Sequence, residues 1–152
     1  MNRTVVIDIP GLSKSVIGIH TPFLQKYISE NNLSLIRPTL PALTTTMQSC
    51  FITGKYPNEH GIVGNGWYDR EESEIKFWIQ SNKLVKSEKI WETAKKIDPS
   101  FTCSKMFWWY NMYSGADYSV TPRPQYHADG VKQPDCYSHP SHLRDDLQKK
   151  LG

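Results

Sequence analysis

Within its first 54 residues the chain passes twice from a short extended apolar run to a segment of helical periodicity, and this order constrains the fold more than any other feature. Residues 4–7 read Thr-Val-Val-Ile and end at Asp8. Side chains branched at Cβ suit a pleated surface, and a continuous apolar run of this length predicts a buried strand with Asp8 at its carboxyl end. Pro10 and Gly11 break it. Thr21-Pro22 predicts a helix start, N-cap followed by proline at the first helical position, with Phe23, Leu24, Tyr27 and Ile28 as the apolar face of a helix reaching about Glu30. Residues 33–37 predict a second strand. After Pro38 and Pro41, Leu43, Met47, Cys50 and Phe51 fall at i, i+4, i+7 and i+8 and predict a helix over 44–53, closed by Gly54. Strand, helix, strand, helix implies an α/β layered fold.

The remainder is less regular. The Gly-rich stretch 54–66, GKYPNEHGIVGNG, predicts a loop. Residues 75–79 predict a strand, 89–97 a helix with Ile90, Ala94 and Ile97 aligned, and 103–110 a buried strand. Residues 114–141 are rich in Pro, Tyr, His and Gly and show no period. A last helix over 141–151 aligns Leu143, Leu147 and Leu151. A structureless stretch of that length is unusual in a compact domain, so the chain is expected to be one part of a larger protein.

Composition narrows the function classes. With 38% hydrophobic and 22% charged residues, the 152-residue chain is globular rather than disordered. Its net charge of +3 comes from scattered Lys and Arg, which is no nucleic-acid footprint. Cys50, Cys103 and Cys136 are odd in number and widely spaced, which argues against a disulfide framework and for free thiols in a reducing compartment. No apolar stretch has the length of a signal peptide or a membrane span, so a cytoplasmic location without membrane partners is expected. The run Phe107-Trp108-Trp109-Tyr110 implies a bulky core layer or a hydrophobic contact surface.

Two residues carry chemistry. Open α/β sheets bind ligands at the carboxyl ends of their strands, where Asp8 is expected. Thr44 heads a helix that follows the second strand and should lie at the same edge. A helix N-terminus offers unpaired N–H groups and partial positive charge, suited to an anion such as phosphate. A threonine hydroxyl becomes a nucleophile when a base or metal lowers its pKa, and zinc accepts carboxylate oxygen. Asp8 and Thr44 therefore form a coherent half-site, although a strand-end Asp and a helix-start Thr are also common structural features.

The strand ending in Asp8, the Pro-x-x-Thr at Pro41 and Thr44, and the run ITGKYPNEHGIVGNGWYD together resemble the type I phosphodiesterase/nucleotide pyrophosphatase family of the alkaline phosphatase superfamily. The resemblance is carried by residues 4–69, which hold the nucleophile and first metal-ligand segment. Residues 70–152 then read as a family-specific extension or cap. It implies an alkaline-phosphatase-like layered fold with a central, mostly parallel sheet flanked by helices, of which this chain is the N-terminal portion. It implies two zinc ions in the complete enzyme, Asp8 as a zinc ligand, and as nucleophile the threonine nine residues before Thr53, which is Thr44. The reaction implied is hydrolysis of a phosphodiester or nucleotide-like small molecule through a phospho-threonine. The family often has Asn three residues after the nucleophile; Met47 stands there, leaving Gln48 or a backbone N–H as the donor. Asn65, Tyr68 and Asp69 match the motif and are expected to orient substrate or brace the loop, and His60 to fix the loop. The family's remaining metal ligands, an Asp-x-x-x-His, an Asp-His pair and a final His, are not reproduced between Arg70 and Gly152. His127, Asp129, His139 and His142 read as surface residues. Two alternatives accompany the hydrolase: a catalytically incomplete relative serving as a binding or assembly module, and a phosphonate or phosphomonoester hydrolase.

Overall fold

A computed structural model describes residues 3–151. The chain divides into two compact units, one up to Pro38 and the other from Thr39 onward.

The first unit contains one helix, α1 (Pro22–Glu30), and a 3₁₀ turn at Lys14–Val16. Proline at the first position presets the helical φ. The expected cap at Thr21 is replaced by another use of the same hydroxyl, which accepts the Gly18 N–H at 2.9 Å and donates to the Val16 carbonyl at 3.1 Å. On the predicted apolar face Leu24 and Ile28 are half-buried, while Phe23 and Tyr27 are exposed and stack on each other. The two expected strands do not form. Residues 4–7 and 33–37 join no sheet among the described residues, and Val5 and Leu35 are 81% and 74% exposed. A buried strand needs neighbours on both edges and cover on both faces, and α1 with one short turn supplies neither.

The second unit holds the core. α2 (Thr44–Thr53) runs to Gly54, whose left-handed φ of 64° ends the helix as predicted. The stretch expected as loop contains a single helical turn, α3 (Pro57–His60), closed by Gly61. β1 (Gly66–Asp69) and β2 (Glu74–Phe77) pair antiparallel with Gly66 opposite Phe77. The Phe77 ring lies over Gly66 so closely that any Cβ there would collide with it. Asp69 accepts the N–H groups of Glu71 and Glu72 and pairs with Lys76, so it braces the hairpin turn.

α4 (Ile90–Ile97) appears where expected but shows the core another face. Ile90 and Ile97 are exposed, and Trp91 is buried, donating its indole N–H to the Ser114 carbonyl at 2.8 Å. The strand expected over 103–110 shortens to β3 (Ser104–Met106), because Phe107 and Tyr110 both take φ of 57°. The stretch without periodicity contains four short strands: β4 (Tyr118–Pro122), β5 (Gln125–Tyr126), β6 (Lys132–Gln133) and β7 (Cys136–His139). β3 lies parallel to β4, β4 antiparallel to β7, and β5 pairs with β6. α5 (Leu143–Leu151) packs on β4 and β7, with Leu143 and Leu147 half-buried. The result is a mixed α/β architecture of small sheets and helices. Ile62, Val85 and Tyr110 form its central cluster, joined by Leu84 and Trp109.

Candidate active site

Helix α2 buries its polar side. Thr45, Thr46, Gln48 and Ser49 are buried together with Ile52, while the apolar stripe of Leu43, Met47, Cys50 and Phe51 is half-buried or exposed. Burying hydroxyls and amides is tolerable only when they are hydrogen-bonded, and here most are. The Thr45 hydroxyl donates to the Gly64 carbonyl at 2.7 Å and lies 3.0 Å from Asn65 Oδ1. Ser49 donates to the Thr45 carbonyl at 2.7 Å, and Gln48 Oε1 accepts the Trp109 N–H at 3.0 Å. The exception is the Thr46 hydroxyl, which is buried without a partner.

The predicted N-cap lies one residue earlier than expected: Leu43 has extended φ/ψ, and Thr44 is the first helical residue. Four N–H groups at a helix start have no intrahelical acceptor. That of Leu43 donates to the Pro41 carbonyl and that of Thr45 to Asn65 Oδ1 at 3.1 Å. The N–H groups of Thr44 and Thr46 have no protein acceptor among the described residues. Within the threonine triplet, Thr45 and Thr46 are fully buried and Thr44 is half-buried, its hydroxyl unpaired among the described residues. One unpaired hydroxyl thus stands at the positive end of a helix beside the unpaired N–H of its own residue, an arrangement in which a phosphoryl oxygen finds donors.

A ring of contacts holds this turn. The Trp78 N–H donates to the Asn65 carbonyl at 2.9 Å, and the Trp78 ring lies 4.5 Å from that of Trp109, whose own N–H reaches Gln48. Burial raises the pKa of the Tyr110 phenol, and the nearby Thr45 hydroxyl works against that rise. Trp78, Phe107 and Tyr110 all hold positive φ without being glycine. Each such conformation costs about 1–3 kcal/mol, and it persists where the surroundings over-determine it. Asn65 and Gln48 were both expected near substrate. In each, the amide oxygen is committed to a main-chain N–H, so only the NH2 end remains to meet a ligand at Asn65. The aromatic run 107–110, expected as core or contact surface, supplies the brace behind α2.

His60 is fully buried. Its Nδ1 accepts the Ile62 N–H at 3.1 Å, which puts the proton on Nε2, 3.3 Å from the Cys50 sulfur. Burial lowers its pKa, with Glu59 acting weakly in the other direction. It fixes the loop after α3, as expected. His127, Asp129, His139 and His142 are exposed; His127, Asp129 and His142 contact near neighbours in the chain, and His139 ends β7 opposite Ser119.

Asp8 is half-buried at the end of the extended run in the first unit. No group of three or more His, Cys, Asp or Glu able to hold a metal occurs among the described residues. A cavity of about 530 Å³, lined by Arg123, Asp135, Tyr137, Ser141 and Arg144 among others, contains none of the expected site residues. No helix among the described residues is long and apolar enough to cross a membrane.

The model of the type I phosphodiesterase / nucleotide pyrophosphatase family matches residues 4–152. Comparison with curated proteins and with solved structures found no match.

Proposed function

From the chain's membership of the type I phosphodiesterase / nucleotide pyrophosphatase family, we propose that its own part in phosphoester hydrolysis is to supply the nucleophile, Thr44. The observation that carries the reading is the contrast within the triplet: Thr45 and Thr46 are sealed in, and the Thr44 hydroxyl alone is open at the helix start. Thr44 Oγ1 attacks phosphorus, forming the P–O bond of a phospho-threonine as the bond to the leaving oxygen breaks. Water then attacks the same phosphorus, releasing phosphate ester and returning the threonine hydroxyl. The N–H group of Thr44 and the NH2 of Asn65 donate to the non-bridging oxygens, where negative charge accumulates. Gln48, whose amide oxygen is held by Trp109, braces the helix. A small phosphodiester or nucleotide-like substrate follows from the family.

Zinc is proposed from the family, with Asp8 and Thr44 as oxygen donors. Two donors fall short of the three protein ligands that a catalytic zinc takes, and no larger metal-binding group is found among the described residues. The chain by itself is therefore expected to bind zinc weakly and to be inactive. The reading as a catalytically incomplete binding or assembly module draws on the same donor count. Metal content separates the two: about two zinc ions per active protein for the hydrolase, one or none for the module. The three cysteines are free, which supports a reducing, cytoplasmic setting.

Thr44→Ala tests the nucleophile in the protein carrying its complete metal-ligand set. Hydrolysis of bis-p-nitrophenyl phosphate is expected to fall by at least about 10³-fold, the scale on which removing a catalytic nucleophile acts. A rate equal to that of the unmodified protein would end the proposal.

A further inference from the structure

We propose that Thr45 is a positioning residue for the reaction, acting through Asn65 by fixing which end of its amide faces the ligand. This rests on the reading of Asn65 as a substrate contact given above. A primary amide has an accepting end and a donating end, and their assignment follows from their partners. The Thr45 main-chain N–H can only donate, and it meets the Asn65 amide at 3.1 Å. The atom there must be the oxygen, so the NH2 is turned away from Thr45.

The Thr45 side chain secures that arrangement. Its hydroxyl is fully buried, 2.7 Å from the Gly64 carbonyl and 3.0 Å from Asn65 Oδ1. Its single proton serves Gly64 or Asn65. The hydroxyl therefore ties the backbone carrying Asn65 to the first turn of α2. Thr44 is the preceding residue, so nucleophile and amide hang from consecutive residues of one helical turn. A shift of the 64–65 backbone would move the donor and leave the nucleophile where it is. Displacements of the order of 1 Å at such a donor can cost about 10²-fold in rate.

The test uses Thr45→Val, which keeps the shape and loses the hydroxyl, and Thr45→Ser, which keeps the hydroxyl. Each is made alone and with Asn65→Ala in the full protein with its metal. The expected result is a fall in kcat for bis-p-nitrophenyl phosphate of about 10–100-fold in Thr45→Val, with most of the rate restored in Thr45→Ser. In the Asn65→Ala background, Thr45→Val should change kcat by less than about 2-fold, because residues acting through one another are non-additive. A readout independent of turnover is the side-chain ¹⁵N–H₂ signal of Asn65 in the metal-free chain, which should shift in Thr45→Val and return in Thr45→Ser. Should Thr45→Val fail to fold, Thr45→Ala takes its place, with the same expected fall in kcat and the same dependence on Asn65. Additive losses in the double variant, or a Ser variant as impaired as the Val variant, would overturn the positioning role. If Asn65→Ala alone leaves kcat and KM unchanged, Asn65 is no substrate contact and the proposal falls with that reading, a result distinct from additivity.

Discussion

Helices α1 and α2 are of similar length, nine and ten residues, and they invert each other. α1 has a well-separated apolar face and leaves its aromatic members Phe23 and Tyr27 exposed. α2 turns its threonines, glutamine and serine inward and its Met and Phe outward. Amphipathic patterning records which face would gain from burial, but burial occurs only where something covers that face. The first unit forms too few elements to cover α1, and none of its residues described here is buried. In the second unit, carbonyls and N–H groups from distant loops meet the polar side of α2, and hydrogen bonding makes that side the buried one.

The sharpest way to break the contrast is to delete one aromatic ring from each unit. Trp91→Ala removes a buried indole and its bond to Ser114 and is expected to cost about 3–5 kcal/mol in urea unfolding. A cost below about 1 kcal/mol would mean that the second unit lacks a fixed core. Lys105 gives an intermediate effect with a pH signature. It is 6% exposed, its ammonium lies 4.5 Å from the Trp91 ring centre, and it faces the carbonyls of Trp109 and Tyr110, with Lys89, Glu92 and Cys103 nearby. Burial pushes its pKa down to about 7. The unfolded chain, with a lysine pKa of about 10.4, binds more protons between those two values. Stability should therefore be full above about pH 10 and decline as pH falls toward 7, by up to about 1.4 kcal/mol per unit from this group. Lys105→Met should flatten that slope, and an unchanged slope would assign it elsewhere. The smallest effect is expected in the first unit, where Phe23→Ala should change stability by no more than about 0.5 kcal/mol, like other exposed positions. A loss comparable to Trp91→Ala would show that α1 is covered in solution.

Legibility followed the range of the interactions involved. α1, α2, α4 and α5 were readable because proline starts, glycine stops and helical spacing act within a few residues. Gly54 closes α2 in the left-handed conformation its position predicts. The motif from Ile52 to Asp69 was readable for the same reason, and the family match extends its reach to residues 4–152. The four strands between Tyr118 and His139 escaped because they are two to five residues long and are defined by partners rather than by period. The runs at 4–7 and 33–37 read as strands because β-branched side chains favour extended backbone. Pairing, however, requires a neighbour that local preference does not provide.

At the candidate site the same division holds. The sequence by itself put a helix start at Thr44, and the resemblance to the family picked out Thr44 by its distance from Thr53-Gly54 and Asn65 within the motif. Tertiary structure decided that Thr45 and Thr46 are sealed while Thr44 is half-buried, that Asn65 presents its oxygen to the helix, and that the Gln48 amide oxygen accepts from Trp109. The Gln48–Trp109 bond spans 61 positions of sequence. No local pattern encodes such a partner, because a buried polar side chain is stabilised only after folding has brought its counterpart within hydrogen-bonding reach.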